Sequence, residues 1–369
     1  MKYIHKLSNW PNLYWDSEIL VTQLASIRYQ QGILLGRMRE IGFDLRVEAS
    51  LEMLTSDIVK SSEIEGELLD RKQVRSSLAK SLGIKIGGLV QSSRHIDGIV
   101  EMMLDATQHY QKPLTKVRLF GWHRVLFPKG TSGLHEITVG AWRLPEAGPM
   151  QIVSGYVGRE RIHFEAPAAK RIEREMQLFL DWFNNIDNID PMLKAGVAHF
   201  WFVTIHPFED GNGRIARAIA DMCLARADGI SERFYSMSSS IEKERKIYYK
   251  TLESCQKGSL NITSWLKWFL ACLGRAIENA DKALEKVLYK SNIWRILDGR
   301  PINERQRKVI NLLLGEFQGK LTTSKYAKLA KCSQDTALRD ILILIDYGVI
   351  VKSMGSGRST SYELYLSPP

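Results

Sequence analysis

Apolar residues recur at helical spacing over most of this chain, which constrains it to a mainly α fold. The clearest stretch runs through Leu51, Leu54, Ile58, Ser61, Glu65 and Leu68 in steps of three and four, and predicts one long helical pattern over 47–82. Further helices are expected over 14–41, 92–111, 113–127 (with Pro113 as a start signal), 168–184, 191–205, from 213 to just before Gly229, 241–256 and 261–290. Gly and Pro crowd the region from Pro128 to Gly158. There Gln151–Ser154 and Arg161–Phe164 are short extended segments with Gly155 and Gly158 between them, a pattern that predicts a small β-hairpin. The last 70 residues change character. A helix over 303–314 is followed by two shorter ones over 322–330 and 334–346, then by two extended pieces joined by residues 355–360. Three helices followed by a hairpin is the order of a winged helix-turn-helix.

Composition excludes several classes. With 369 residues the chain has room for two or three domains. No apolar run approaches the roughly 20 residues that span a bilayer, so no membrane association is expected. The start, Met1 to Lys6, leads into Trp10 and Pro11 without a secretory apolar segment. The 4 Cys are far apart, which speaks against a disulfide framework or a zinc cluster and suits a reducing cytoplasm. The net charge of +10 points to an anionic partner or to solubility.

Chemistry concentrates in His206-Pro-Phe-Glu-Asp-Gly-Asn-Gly-Arg-Ile-Ala-Arg217. Pro207 stops the preceding helix, and Gly211 and Gly213 flank Asn212, so the backbone can turn tightly and approach a ligand. Arg214 and Arg217 fall in the first turns of the next helix, where the helix end already carries partial positive charge. An anion relieves that crowding, and glycine-loop amides with two Arg make a polyphosphate site. Asp210 beside it suits Mg²⁺, which binds through one carboxylate and phosphate oxygens. His206 at the mouth, with an expected near-neutral pKa, suits the removal of a proton from an attacking hydroxyl. An EF-hand is excluded because Ile215 replaces the turn Gly, and a P-loop because Gly-Lys-Ser/Thr is absent.

The segment resembles the Fic signature, HPFx(D/E)GNGRxxR, at every fixed position. The resemblance implies a helical Fic core with a β-hairpin flap, and an enzyme that moves AMP from ATP to a Ser, Thr or Tyr hydroxyl of a target protein, releasing diphosphate. It divides the chain into an N-terminal helical domain at 1–112, a Fic catalytic domain at 113–290 and a winged helix at 295–369. It makes His206 the general base, Phe208 the anchor of the loop and Asp210 the ligand of Mg²⁺. Gly211, Asn212 and Gly213 would form the anion cradle, Arg214 would orient the phosphates and Arg217 would bind the γ-phosphate. Arg161, Ile162, His163 and Phe164 would form the flap strand that clamps the target. Tyr248 and Tyr249 resemble a Tyr pair near the adenine, with core packing as the alternative, and Gln256 stands where the family often has Asn.

Upstream, a carboxylate at Glu65 on an apolar stripe needs a cation, and Arg217 is a suitable one. The segment from Ser61 to Gly66 also resembles the Fic inhibitory motif, (S/T)xxxE(G/N), in which the Glu pairs with the second motif Arg beside the ATP site. The alternative is a solvated acidic face, because Glu63 and Glu67 flank Glu65. In the C-terminal module, residues 301–369 hold ten Lys and Arg against six acids, and Gln334, Thr336, Arg339 and Arg358 are base- or phosphate-capable. DNA is therefore one candidate partner and another protein the alternative. The chain itself, as a modification target or as a second copy in a homodimer, is also a candidate. The leading reading is a self-inhibited protein adenylyltransferase. The alternatives are a hydrolase that removes AMP from a target, and a DNA-binding regulator with a nucleotide-sensing Fic core.

Overall fold

The computed structural model describes all residues except 1–2, 86–87, 146–147, 155–160, 187, 315–316, 318, 354–359 and 366–369. The chain divides into two compact units, residues 1–281 and 282–369. The larger contains α1 (Ser17–Glu40), α2 (Phe43–Ile64), α3 (Arg71–Ser81), α4 (Arg94–Gln108), α5 (Lys116–Leu126), α6 (Ile172–Asn184), α7 (Pro191–Ile205), α8 (Asn212–Asp228), α9 (Met237–Lys243), α10 (Arg245–Gln256) and most of α11 (Thr263–Leu297). No helix among the described residues is long and apolar enough to cross a membrane.

Helix α7 is the centre of this unit. Asp190 caps it by accepting the Met192 N–H at 2.8 Å, Pro191 opens it, and every residue from Met192 to Ile205 is buried. It packs along α8, whose residues from Arg214 to Ala225 are likewise buried. Helices α2, α4 and α5 pack on α8, and α9 packs on α2.

Three expectations need correction. The pattern over 47–82 is two helices, because α2 stops at Ile64 and Gly66 turns the chain with φ +87°. Leu51, Leu54, Ile58 and Ser61 are buried as the spacing requires, but Leu68 lies beyond the turn and is 84% exposed. Glu65 is thus the residue that ends α2 rather than a member of its apolar face. Residues 241–256 are also two elements, α9 and α10, meeting at Glu244, with Ser236 capping the first. Helix α5 begins after Thr115, whose hydroxyl accepts the Arg118 N–H, rather than at Pro113.

The hairpin expected from the glycine-rich region is present as β3 (Gln151–Ser154) paired antiparallel with β4 (Arg161–Glu165), with a register shift between Ile152 and Val153. Gly155 and Gly158 lie outside the described residues. A smaller pair, β1 (Thr131–Ser132) with β2 (His135–Glu136), was not foreshadowed by periodicity.

In the second unit α12 (Glu304–Leu314), α13 (Thr323–Ala330) and α14 (Gln334–Asp346) precede an antiparallel pair, β5 (Ile350–Lys352) and β6 (Tyr362–Leu364). Buried Asp340 of α14 ties the helices together, accepting from Arg305 and Asn303 at 2.9 Å and from the Tyr326 hydroxyl at 3.2 Å. The outer surface of α14 exposes Gln334, Asp335 and Arg339 alongside Leu338 and Leu342, while Thr336 is half-buried. Arg358 lies outside the described residues.

Candidate active site

The loop after α7 is held from several directions. His206 ends the helix in the left-handed region, φ +52°, ψ +60°, and its N–H donates to the Phe202 carbonyl at 3.0 Å. A non-glycine residue there costs about 1–3 kcal/mol unless its surroundings hold it. Here buried Arg143 does so. Its Nε donates to the His206 carbonyl at 2.8 Å, its N–H donates to the Pro207 carbonyl at 2.9 Å, and its Nη2 donates to the Pro167 carbonyl. Phe208 is fully buried, stacked on His123 with centroids 4.2 Å apart and 8° between planes, and 5.0 Å from Trp142. The Asn212 amide closes the loop reciprocally: its Oδ1 accepts the Phe208 N–H and its Nδ2 donates to the Phe208 carbonyl, both at 2.9 Å. The Asn212 side chain is therefore engaged in shaping the loop, which leaves its backbone N–H to the cradle expected at Gly211, Asn212 and Gly213.

His206 Nδ1 lies 3.3 Å from the Val203 carbonyl. A neutral imidazole donating there leaves its Nε2 lone pair as the acceptor. The near-neutral pKa expected from sequence is corrected downward: burial, reinforced by the Arg143 charge, lowers it to about 4. The base is thus unprotonated throughout the physiological range. The acid limb of a kcat/KM profile is expected near pH 4 rather than 6.5, and a limb near 6.5 would contradict this protonation state.

Asp210 is oriented on both oxygens, Oδ1 accepting the Gly211 N–H at 2.5 Å and Oδ2 the Ser132 hydroxyl. Its carbonyl lies 3.2 Å from His123 Nε2, while His123 Nδ1 accepts the Gly140 N–H at 3.0 Å. Those partners select the neutral Nε2–H tautomer, in agreement with a pKa lowered to about 4 by burial. Sequence reasoning missed both His123 and Ser132, whose roles arise from α5 and β1 folding against the loop. Among the described residues no group of three or more His, Cys, Asp or Glu converges on a metal position. One oriented carboxylate beside a phosphate cradle is nevertheless the donor set that suits Mg²⁺, which keeps water and phosphate oxygens as its other ligands.

Gly211 starts α8 with φ +80°, and a Cβ there would lie 2.9 Å from the Phe127 ring. A Cβ on Gly213 would lie 2.0 Å from Glu65 Oε1, so a carboxylate already fills the space over this helix terminus. Arg217, 2% exposed, donates from Nη2 to Glu65 Oε1 at 2.7 Å, and from Nε and Nη2 to the Ser61 hydroxyl and carbonyl, each at 2.8 Å. Burial opposes its charge, but Glu65 and the other neighbours outweigh this and raise its pKa. Arg214 donates from Nη1 to Glu67 Oε2 at 2.8 Å and lies 5.2 Å from the Phe127 centroid. Arg214 Nε and Arg217 Nη1 are buried without a hydrogen-bond partner.

The adenine-side expectation divides. Tyr248 is 2% exposed, bonded through its hydroxyl to His199 Nε2 at 2.9 Å and packed 5.4 Å from the Trp268 ring. Gln256 is 1% exposed and donates to the Thr204 hydroxyl at 3.2 Å. Of these three only Tyr249 retains accessible surface, with its hydroxyl 3.4 Å from the Ile64 carbonyl at the end of α2. On the hairpin, Phe164 is buried 5.2 Å from the Tyr3 ring, whereas Arg161 and Ile162 are exposed. Half-buried His163 reaches Glu253 of α10 at 2.7 Å. Burial raises the Glu253 pKa, but Lys257 and His163 outweigh it and leave the value at about 2.

Residues 113–224 match the model of the Fic/DOC family, and residues 3–84 match that of a domain of unknown function, DUF4172. A curated relative, protein adenylyltransferase fic-1 of Caenorhabditis elegans, is 30% identical over 129 residues, which is 34% of this chain and 23% of the relative. Protein adenylyltransferase Fic of Drosophila willistoni is 26% identical over 258 residues, 69% of this chain and 47% of the relative. The chain thus spans less than half the length of these relatives. A solved Fic family protein from Desulfovibrio desulfuricans superposes with TM-score 0.55 at 19% identity, covering 98% of this chain and 100% of that one. A Fic domain containing signaling protein from Bacteroides thetaiotaomicron gives TM-score 0.53 at 20% identity over 70% of this chain and 98% of that one. At these identities the likeness is one of fold.

Proposed function

Because the chain carries a Fic domain, we propose that it transfers AMP from ATP to a hydroxyl side chain of a protein, and that its own Glu65 restrains the reaction. The observation that carries this reading is the Glu65 carboxylate seated on Arg217 over the N-terminus of α8. A carboxylate there stands where a phosphate oxygen would, beside two buried guanidinium nitrogens that still lack partners.

In the reaction the target hydroxyl oxygen attacks the α-phosphorus of ATP. The bond from that phosphorus to the α,β-bridging oxygen breaks, and diphosphate leaves. His206 Nε2 takes the hydroxyl proton, which its low pKa leaves it free to accept. The amides of Asn212 and Gly213 at the start of α8, with Arg214 and Arg217, hold the phosphates and stabilise the charge spread over their oxygens. Asp210 would hold Mg²⁺, which supplies further positive charge to the phosphates when bound. The β3–β4 hairpin offers an edge to which a target segment can add as a strand, with Phe164 fixing the hairpin to the core.

Asp210→Ala is expected to abolish transfer measured with labelled ATP, and EDTA to do the same to the parent protein. Activity indifferent to EDTA would remove the metal from the account. Hydrolytic removal of AMP would use the same cradle, with Glu65 orienting water. A Glu65→Gly variant separates the two, because it is expected to raise transfer under the first reading and to stop hydrolysis under the second.

A further inference from the structure

Glu65 is one of two carboxylates on the same short turn. Beyond Gly66, Glu67 reaches back to the same helix terminus, where its Oε2 accepts from Arg214 Nη1 at 2.8 Å. Arg214 is almost as buried as Arg217, at 5%. Glu67 Oε1 is bonded by His95 Nε2, and His95 Nδ1 lies 3.1 Å from the carbonyl of Leu126, the last residue of α5. Burial raises the Glu67 pKa, but His95 and Arg214 outweigh it, so the net shift is downward and the group is an anion at neutral pH. The contrast with Glu63 is direct. Glu63 pairs with Lys60 at 2.6 Å as a partly exposed i,i+3 contact, which is the solvated acid that sequence suggests. Glu67 is no less exposed, at 32% against 30%, but its partner is the buried second phosphate-binding arginine rather than a surface lysine.

We propose that Glu67 is a second inhibitory carboxylate, occupying Arg214 as Glu65 occupies Arg217, so that the segment 65–67 blocks both guanidinium groups of the cradle. The proposal rests on reading that cradle as a phosphate site. His95 is a positioning residue: it acts on Arg214 through Glu67 and anchors it to α5, outside the helix that carries Glu65. Each arginine keeps one buried nitrogen without a hydrogen-bond partner, so the two carboxylates do not satisfy the guanidinium groups completely. Displacing Glu65 alone leaves Arg214 tied, and a nucleotide must compete with two anions rather than one.

The test uses the full chain and inorganic triphosphate as the probe, titrated calorimetrically into the parent, Glu67→Gln, Glu65→Gln and the double variant. Each single change is expected to tighten triphosphate binding by about tenfold, within the usual range of coupling between competing sites, and the double by more than either single, without strict additivity because the two carboxylates share one cradle. His95→Ala, which leaves Arg214 and Glu67 in place but removes the anchor, is expected to shift affinity in the same direction. It also decides the matter if Glu67→Gln fails to fold by thermal melting. Unchanged or weakened triphosphate binding in Glu67→Gln, or in His95→Ala if the former is unfolded, would overturn the proposal and leave Glu67 as a residue that merely orients Arg214. In AMP transfer at subsaturating ATP, adding Glu67→Gln to Glu65→Gly is expected to raise the rate further. If no variant transfers AMP while triphosphate affinity still rises, the adenylyltransferase reading fails and the two-carboxylate block stands.

Discussion

Replacing His206 by Ala is expected to cut AMP transfer by about 10²–10⁴-fold while leaving the fold and ATP binding largely intact. The backbone of this residue, not its ring, carries the structural load. Its N–H caps α7, its carbonyl receives Arg143, and both survive the substitution. The lost ring bond to Val203 is a long one at 3.3 Å. The phosphate-binding groups, Arg214, Arg217 and the α8 terminus, make no hydrogen bond to the imidazole, so nucleotide affinity should persist. Measured together, labelled-ATP transfer and ATP titration separate a base from a structural residue. Transfer near the parent rate would remove His206 from the mechanism, and loss of ATP binding would recast it as part of the cradle.

Glu65→Gly is expected to raise transfer by about 10²-fold. With Glu65 in place, the γ-phosphate must compete for Arg217, and ATP held by the helix-terminus amides, and by Arg214 only where it displaces Glu67, has its α-phosphorus misaligned. A displacement of about 1 Å at the reacting atoms can cost on the order of 10² in rate. The same change should lower stability in the absence of nucleotide, because Arg217 is 2% exposed and loses its anionic partner. The loss should fall short of the roughly 3–5 kcal/mol seen on breaking fully buried pairs, since the Glu65 side chain is 31% exposed and the Ser61 contacts remain. Added ATP should restore the melting temperature.

Much of this was legible in the sequence because the chemistry is contiguous. Twelve residues from His206 to Arg217 carry the base, the acid, the turn glycines and both arginines, and Pro207 and Gly229 mark the neighbouring helix ends. The β3–β4 hairpin was legible because glycines separate two extended segments. What escaped was set by tertiary placement. The three-four spacing continues numerically through Glu65 and Leu68, but Gly66 in the left-handed region ends the helix between them. Tyr248 and Tyr249 are adjacent in sequence and about 100° apart on a helix, so one enters the core and the other does not. Glu63 and Glu67 look alike as flanking acids, and the turn at Gly66 leaves one paired with Lys60 and brings the other to Arg214. The His206 pKa depends on burial that no local pattern reports.

The central claim is AMP transfer restrained by Glu65, and the intact mass of the protein after incubation with saturating MgATP tests it most directly. The account predicts that Glu65→Gly gains the mass of AMP far faster than the parent, and that the double variant Glu65→Gly, His206→Ala gains none. Equal incorporation by the parent and Glu65→Gly would contradict it.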